Sequence, residues 1–216
     1  MTSGFAATGT APVDGAPGSA AHGGMARIRT IFGIFINPGA ALSGALADGS
    51  PVFALAVSGT AFGLFCLQTG LDQARAGQAA IPPLGLGAPL GVVALAAIGA
   101  AYGTAGLALV ALAAWCLVRL LAGMLKLGPT PGPGATVRAF ALGYAPALVY
   151  GLVGIVLSLA LGWNTAIAFG ITGVLWAIGP AIATLRTMLG GRIWPAVLLA
   201  TLVGGAMLAG WSVLGT

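Results

Sequence analysis

The side chains able to carry acid–base, nucleophilic or redox chemistry are few. The acids are Asp14, Asp48 and Asp72, there is no glutamate, the single histidine is His22, and the thiols are Cys66 and Cys116. General acid–base catalysis needs two titratable groups within reach of one reacting atom. Asp48 and Asp72 fall in polar turns at opposite ends of the first long apolar stretch, and His22 lies in a Gly/Ala-rich leader. No acid–base pair can be assembled, so no enzyme, no metal site and no cofactor is expected. Cys66 sits near one end of its span and Cys116 near the other end of the next. At 1.5 Å per residue they differ in depth by roughly 15 Å, too far for a disulfide or shared metal, and both read as core cysteines. The pair Gly85-Leu86-Gly87 lacks the third glycine and the strand of a dinucleotide site, and no Walker, GxSxG or HExxH sequence occurs.

Transport chemistry is limited in the same way. Ion-coupled carriers hold acidic or histidine side chains at membrane depth, whereas here Arg119, at the end of an apolar stretch, is positioned to snorkel. Two prolines fall inside apolar stretches, Pro146 and Pro180. Each removes an N–H from its helix and can kink it. Together they define a candidate groove opening toward the cytoplasm, lined by Tyr144 and Tyr150. The alternative reading is that the prolines only shape helix packing.

The elements that position these residues follow from composition. Of 216 residues, 59% are hydrophobic and 5% charged, with a mean hydropathy of +1.06; soluble domains are roughly 45–50% apolar and 25% charged. The chain is therefore read as an all-α, polytopic transmembrane helix bundle with about five spans. About 20 apolar residues cross some 30 Å of hydrocarbon, which places spans near 51–70, 101–122, 138–161, 165–186 and 195–214. Residues 89–100 are an extension of the second span or an interfacial piece. Arg27, Arg29, Arg119, Lys126, Arg138, Arg186 and Arg192 then share one side and Arg75 lies on the other. By the positive-inside rule the N-terminus is cytoplasmic and the C-terminus periplasmic. The Ala/Gly-rich composition, with one lysine to seven arginines, suggests a bacterial inner membrane.

Three regions result: a disordered tail over 1–24, an amphipathic interfacial segment over 25–50, and a membrane domain over 51–216. The tail has too little apolar content to offset its ordering entropy, and it lacks a cleavable signal's basic and apolar regions. Ile28, Ile31, Phe32 and Phe35 recur at helical spacing beside Arg27 and Arg29, either an interfacial helix or a simple packed lead-in. Asn37-Pro38 and Ser50-Pro51 each read as a cap followed by proline at the first helical position. Trp163 and Trp211 should sit at the outer interface and Trp194 at the inner one. Asn164 should cap the fourth helix after a tight hairpin. Residues 126–134 form a Pro/Gly linker separating two spans from a compact three-helix half. Gly59/Gly63, Gly99/Gly103, Gly154/Ser158 and Gly173/Ala177 have small-xxx-small spacing, which permits close helix approach or a dimer.

The amphipathic lead with its Asn37-Pro38 break, the five spans, the linker after the second, and Gly143-Tyr144-Ala145-Pro146 opening the third together resemble the Yip-domain family of integral membrane proteins. The resemblance covers roughly residues 30–214, and Leu127-Gly128-Pro129 stands where the family has a Gly-Gly pair. It implies a non-enzymatic, multi-pass scaffold that organises membranes. Expected partners are the lipid bilayer and other membrane proteins or a second copy of the chain, with no nucleic acid. The competing reading is a small channel or uncoupled transporter using the Pro146/Pro180 groove.

Overall fold

The computed structural model describes residues 19–79, 81 and 88–214, and the side chains of residues 28–210 within that set. The readings of Arg27 and Trp211 as interfacial side chains, and of residues 1–18 as a tail, lie outside it. The described residues form helices α1 (Ser19–Ile36), α2 (Pro38–Ala47), α3 (Pro51–Arg75), α4 (Ala88–Ala101), α5 (Leu107–Met124), α6 (Pro133–Leu142), α7 (Ala145–Leu161), α8 (Thr172–Trp176), α9 (Ile178–Met188) and α10 (Ile193–Leu214). Five helical stretches are long and apolar enough to cross a bilayer: Pro51–Arg75, Ala88–Met124, Pro133–Leu161, Ala166–Met188 and Ile193–Gly210. The chain is an integral, multi-pass membrane protein of all-α class.

Local signals explain where the helices start and stop. Asn37 accepts a hydrogen bond from Ala40 N at 3.1 Å and Ser50 Oγ one from Phe53 N at 3.3 Å. Proline fills the first helical position in both cases, where its missing N–H costs nothing. The second span closes with Lys126 in the left-handed region (φ 52). Leu127 N there bonds back to Ala122 O at 2.9 Å, satisfying a carbonyl that the helix end would orphan.

The second span differs from the expected 101–122. One helical run of 37 residues extends from Ala88 to Met124, about 55 Å at 1.5 Å per residue. Residues 89–100 thus belong to its first third, packed along α3. Widened turns at Tyr102–Gly106 interrupt the run, and Ser58 Oγ takes up the Gly103 carbonyl at 2.7 Å. A wide turn frees a carbonyl, and the neighbouring helix bonds it.

The small-residue pairs are used inside the chain. A Cβ added at Gly99 would meet Cys66 Sγ, and Phe62 O at 2.7 Å; one at Gly103 would lie 2.6 Å from Ser58 O. Gly59 and Gly63 face Ala100 across the same seam, and Gly173 faces Ala147. Gly59, Gly63, Gly99 and Gly103 let the backbones of the first two spans touch, and Gly173 serves the third and fourth. They are therefore not a free dimer face.

Helix α3 lies centrally, touching α4, α6 and α7 and the start of the fourth span. The linker consequently does not divide the bundle into two halves, contrary to expectation. Trp115 Nε1 also donates to Pro131 O at 2.9 Å and ties the linker down. The N-terminal helix begins at Ser19, inside the stretch read as a tail. Ile34 and Leu42, at 1% exposure, belong to the same core as Phe62, Leu107 and Tyr144. Ile28 (57%), Phe32 (57%) and Ile36 (86%) point outward. Helix α1 therefore has two apolar faces, one docked on the bundle and one turned away from it.

Candidate functional site

The first site residues to locate are the prolines. The third span breaks at Gly143-Tyr144, and Pro146 follows at the start of α7, while the fourth breaks at Ala177, with Pro180 in the first turn of α9. Both prolines sit where a new helical segment would lack N–H partners anyway, so each marks a bend. The bends face one another: a Cβ on Gly143 would lie 3.2 Å from Pro180 Cβ. Pro146 and Pro180 are buried.

A cavity of about 410 Å³ lies beside these bends, but its lining differs from the predicted groove. Tyr144 borders it, as do Ala177, Ile178 and Ala181 flanking Pro180, with Phe62 and Phe65 of α3 and Gly204 and Gly205 of α10. Tyr150 does not line it; its ring packs against Trp176 with centroids 6.2 Å apart. Tyr144 instead leans on Phe62 at 5.0 Å, and Phe62 meets Tyr102 edge-on at 5.7 Å. The lining hydroxyls are those of Tyr144 and Thr201, and Thr201 Oγ1 is already bonded to Val197 O at 3.0 Å. The walls are hydrocarbon, suited to an apolar guest and costly for an ion to enter.

The charged side chains have a different use. At the end of the bundle away from Pro51, Arg75 donates to Ser158 O at 2.7 Å, Ser158 Oγ at 2.7 Å and Trp163 O at 3.2 Å, groups at the end of α7 and just beyond it. Its neighbour Asp72, 3.4 Å away, accepts the Ala166 N–H at 2.9 Å. A cation thus sits on a helix C-terminus and an anion on the next N-terminus, the favourable arrangement at each pole. Asp72 is placed on the last turn of α3 and caps the fourth span from outside it. Asn164 does not: Thr165 is the cap residue and makes no side-chain capping bond.

Arg138 does the same at the opposite end. Its guanidinium binds Ala45 O, Gly49 O at 2.9 Å and Leu46 O at 3.1 Å, closing the C-terminus of α2 onto α6. Gln68, fully buried, donates to Gly151 O at 2.7 Å, and its Oε1 has no partner among the described residues. Gly154 and Gly170 leave it room, since a Cβ on either would come within 3.1 Å of the amide.

Compared with protein-family models, curated proteins and solved structures, this chain has no match.

The remaining predicted positions are spread over the surface. Trp163 and Trp194 are exposed at opposite ends, and Arg29 is exposed on α1. Arg119 lies over the Trp115 ring at 5.5 Å. Cys66 is buried as expected, whereas Cys116 is exposed and is not a core residue. No group of three or more His, Cys, Asp or Glu side chains placed to hold a metal occurs among the described residues. Sequence reasoning missed Gln68 and the capping roles of Asp72, Arg75 and Arg138. The signal for Gln68 was an amide inside the apolar run of α3, which needs a partner wherever lipid excludes water.

Proposed function

We propose that the chain is a non-enzymatic, Yip-like scaffold that organises a membrane through helix–helix and lipid contacts. What supports this most is how the polar groups at the two ends of the bundle are used. Asp72, Arg75 and Arg138 are engaged with backbone ends, and the cavity beside the kinks is lined by hydrocarbon. The surfaces left to act are the outward apolar face of α1 and the lipid-facing flanks of the spans.

The orientation follows from charge. Arg119, Lys126, Arg138, Arg186 and Arg192 share the end of the bundle where Pro51 begins the first span. Assigning that end to the cytoplasm of a bacterial inner membrane obeys the positive-inside rule and places Asp72 and Arg75 on the periplasmic side. Ile28, Phe32 and Ile36 of α1 then lie at the cytoplasmic interface, where an apolar face beside Arg29 can insert among anionic headgroups.

The reading is tested by mild cross-linking in native membranes, transfer into lipid nanodiscs, and mass spectrometry of what remains bound. A stoichiometric membrane-protein partner or a defined homo-oligomer is the expected result. A lone monomer that catalyses flux of a solute in proteoliposomes would overturn it.

A further inference from the structure

The groove between the fourth and fifth spans has the dimensions and the charge of a lipid site. It opens sideways: Ile171, Leu175 and Ile178 on one wall and Leu208 on the other are exposed, so the surrounding hydrocarbon has direct access to the cavity. Along the fourth span the lining runs from Ile171 to Ala181, about 15 Å of helix. That is half of a hydrocarbon core roughly 30 Å thick, the depth of a single leaflet.

Beyond Ala181 the same helix carries Arg186, about 7.5 Å further on, close to the thickness of one interfacial layer of roughly 5–7 Å. Arg186 Nε donates to Gly191 O at 3.1 Å, which holds the guanidinium over the turn joining α9 to α10. Arg192 is exposed in that turn. Among the described residues neither arginine is paired with a carboxylate. Trp194, 81% exposed, stands at the same level, the depth favoured by indole rings. Both walls of an acyl-sized groove thus lead to a cationic turn.

The recess is maintained by missing side chains. Gly204 and Gly205 line it, and a Cβ built on either meets nothing within 4 Å. These two glycines serve no close helix contact, unlike Gly99 or Gly103. They keep open a space that larger residues would fill.

We propose that this groove holds one anionic phospholipid of the surrounding leaflet, with an acyl chain in the cavity and its phosphate at Arg186 and Arg192. Basic clefts between transmembrane helices recognise such headgroups by the same combination of charge and shape. The inference rests on the chain spanning a bilayer and not on the scaffold reading.

The full-length protein in mild detergent is titrated with phosphatidylglycerol and, separately, with phosphatidylcholine bearing identical acyl chains, and retained lipid is counted by native mass spectrometry. One phosphatidylglycerol per chain is expected, with phosphatidylcholine held more weakly. Each arginine contributes about fivefold, so Arg186→Gln with Arg192→Gln removes the preference. Gly204→Leu with Gly205→Leu expels both lipids, and Gly205→Leu alone serves if the pair fails to fold. Equal retention of the two lipids, or retention unchanged by filling the glycine wall, overturns the proposal. Cross-linking that finds no protein partner would refute the scaffold reading and leave this result standing.

Discussion

Replacing Arg138 by methionine preserves most of the aliphatic stem and deletes the guanidinium that closes α2. Three carbonyls lose a charged donor: those of Ala45, Leu46 and Gly49. A hydrogen bond to a charged group contributes about 1.5–3 kcal/mol, and the helix-end charge roughly another 0.3–1 kcal/mol. The sum is an upper bound, because the side chain is only partly buried and water can reach freed carbonyls near the interface. A loss of about 3 kcal/mol in the docking of α2 is the expected outcome. That raises local opening roughly a hundredfold. Hydrogen exchange by mass spectrometry in nanodiscs reads it directly: amides of residues 38–50 should exchange faster, while those of α7 hardly change. Arg138→Lys should fall between, since an ammonium keeps the charge but cannot fork across three acceptors. Unchanged exchange over 38–50, or an equal acceleration throughout the chain, would refute the role of Arg138 as the clamp on α2.

Three further outcomes follow from the packing. Gly99→Ala drives a methyl into Cys66 and Phe62 O and should destabilise the bundle by about 1–3 kcal/mol. Gly44→Ala, with nothing within 4 Å, should be neutral or gain up to about 1 kcal/mol; equal denaturation midpoints for the two would contradict the first–second span seam. Gln68→Leu should stay within about 1 kcal/mol of the parent because it removes an unpartnered Oε1 along with one hydrogen bond. Gln68→Glu, by contrast, must be protonated to be buried, so its yield of folded protein should fall as pH rises above the ordinary carboxyl range, and pH-independent yields matching those of Gln68→Leu would show that the site is hydrated. Lys126→Gly relieves a left-handed backbone at φ 52 and should stabilise by roughly 0.5–1 kcal/mol in a thermal or denaturant titration. No gain there would argue against that helix end.

The parts legible in the sequence were those written locally. Asn37-Pro38 and Ser50-Pro51 announce helix starts within three residues, and the apolar runs are long enough to count as spans without any tertiary information. Residues 89–100 were left with two readings because hydropathy alone cannot tell an extension of the second span from an interfacial piece when the helix is longer than a bilayer is thick. Helix α1 was ambiguous for a related reason. Apolar residues on two faces blur the single stripe that periodicity detects, and only docking of Ile34 reveals which face is inward. Asp72 lies 94 residues from the N–H it caps, and Arg138 lies 89–93 residues from its carbonyls. Such partners leave no trace in spacing.

The same scarcity of charge bears on how the bundle is assembled. A membrane helix satisfies its own backbone except at the ends, where up to four carbonyls or N–H groups lack partners. A soluble protein can leave those ends to water. Here the end of the third span, the start of the fourth and the end of α2 each lie against another helix, and each receives a charged side chain from it: Arg75, Asp72 and Arg138. Those three residues therefore specify which helices are neighbours, which apolar packing in lipid does poorly because hydrocarbon contacts are available everywhere. Arg186 and Arg192 form no such link between helices distant in sequence: Arg186 spans only its own turn, Arg192 is exposed, and the two stand below the groove between the fourth and fifth spans. Charge that does not assemble the bundle is the charge left to meet something outside it.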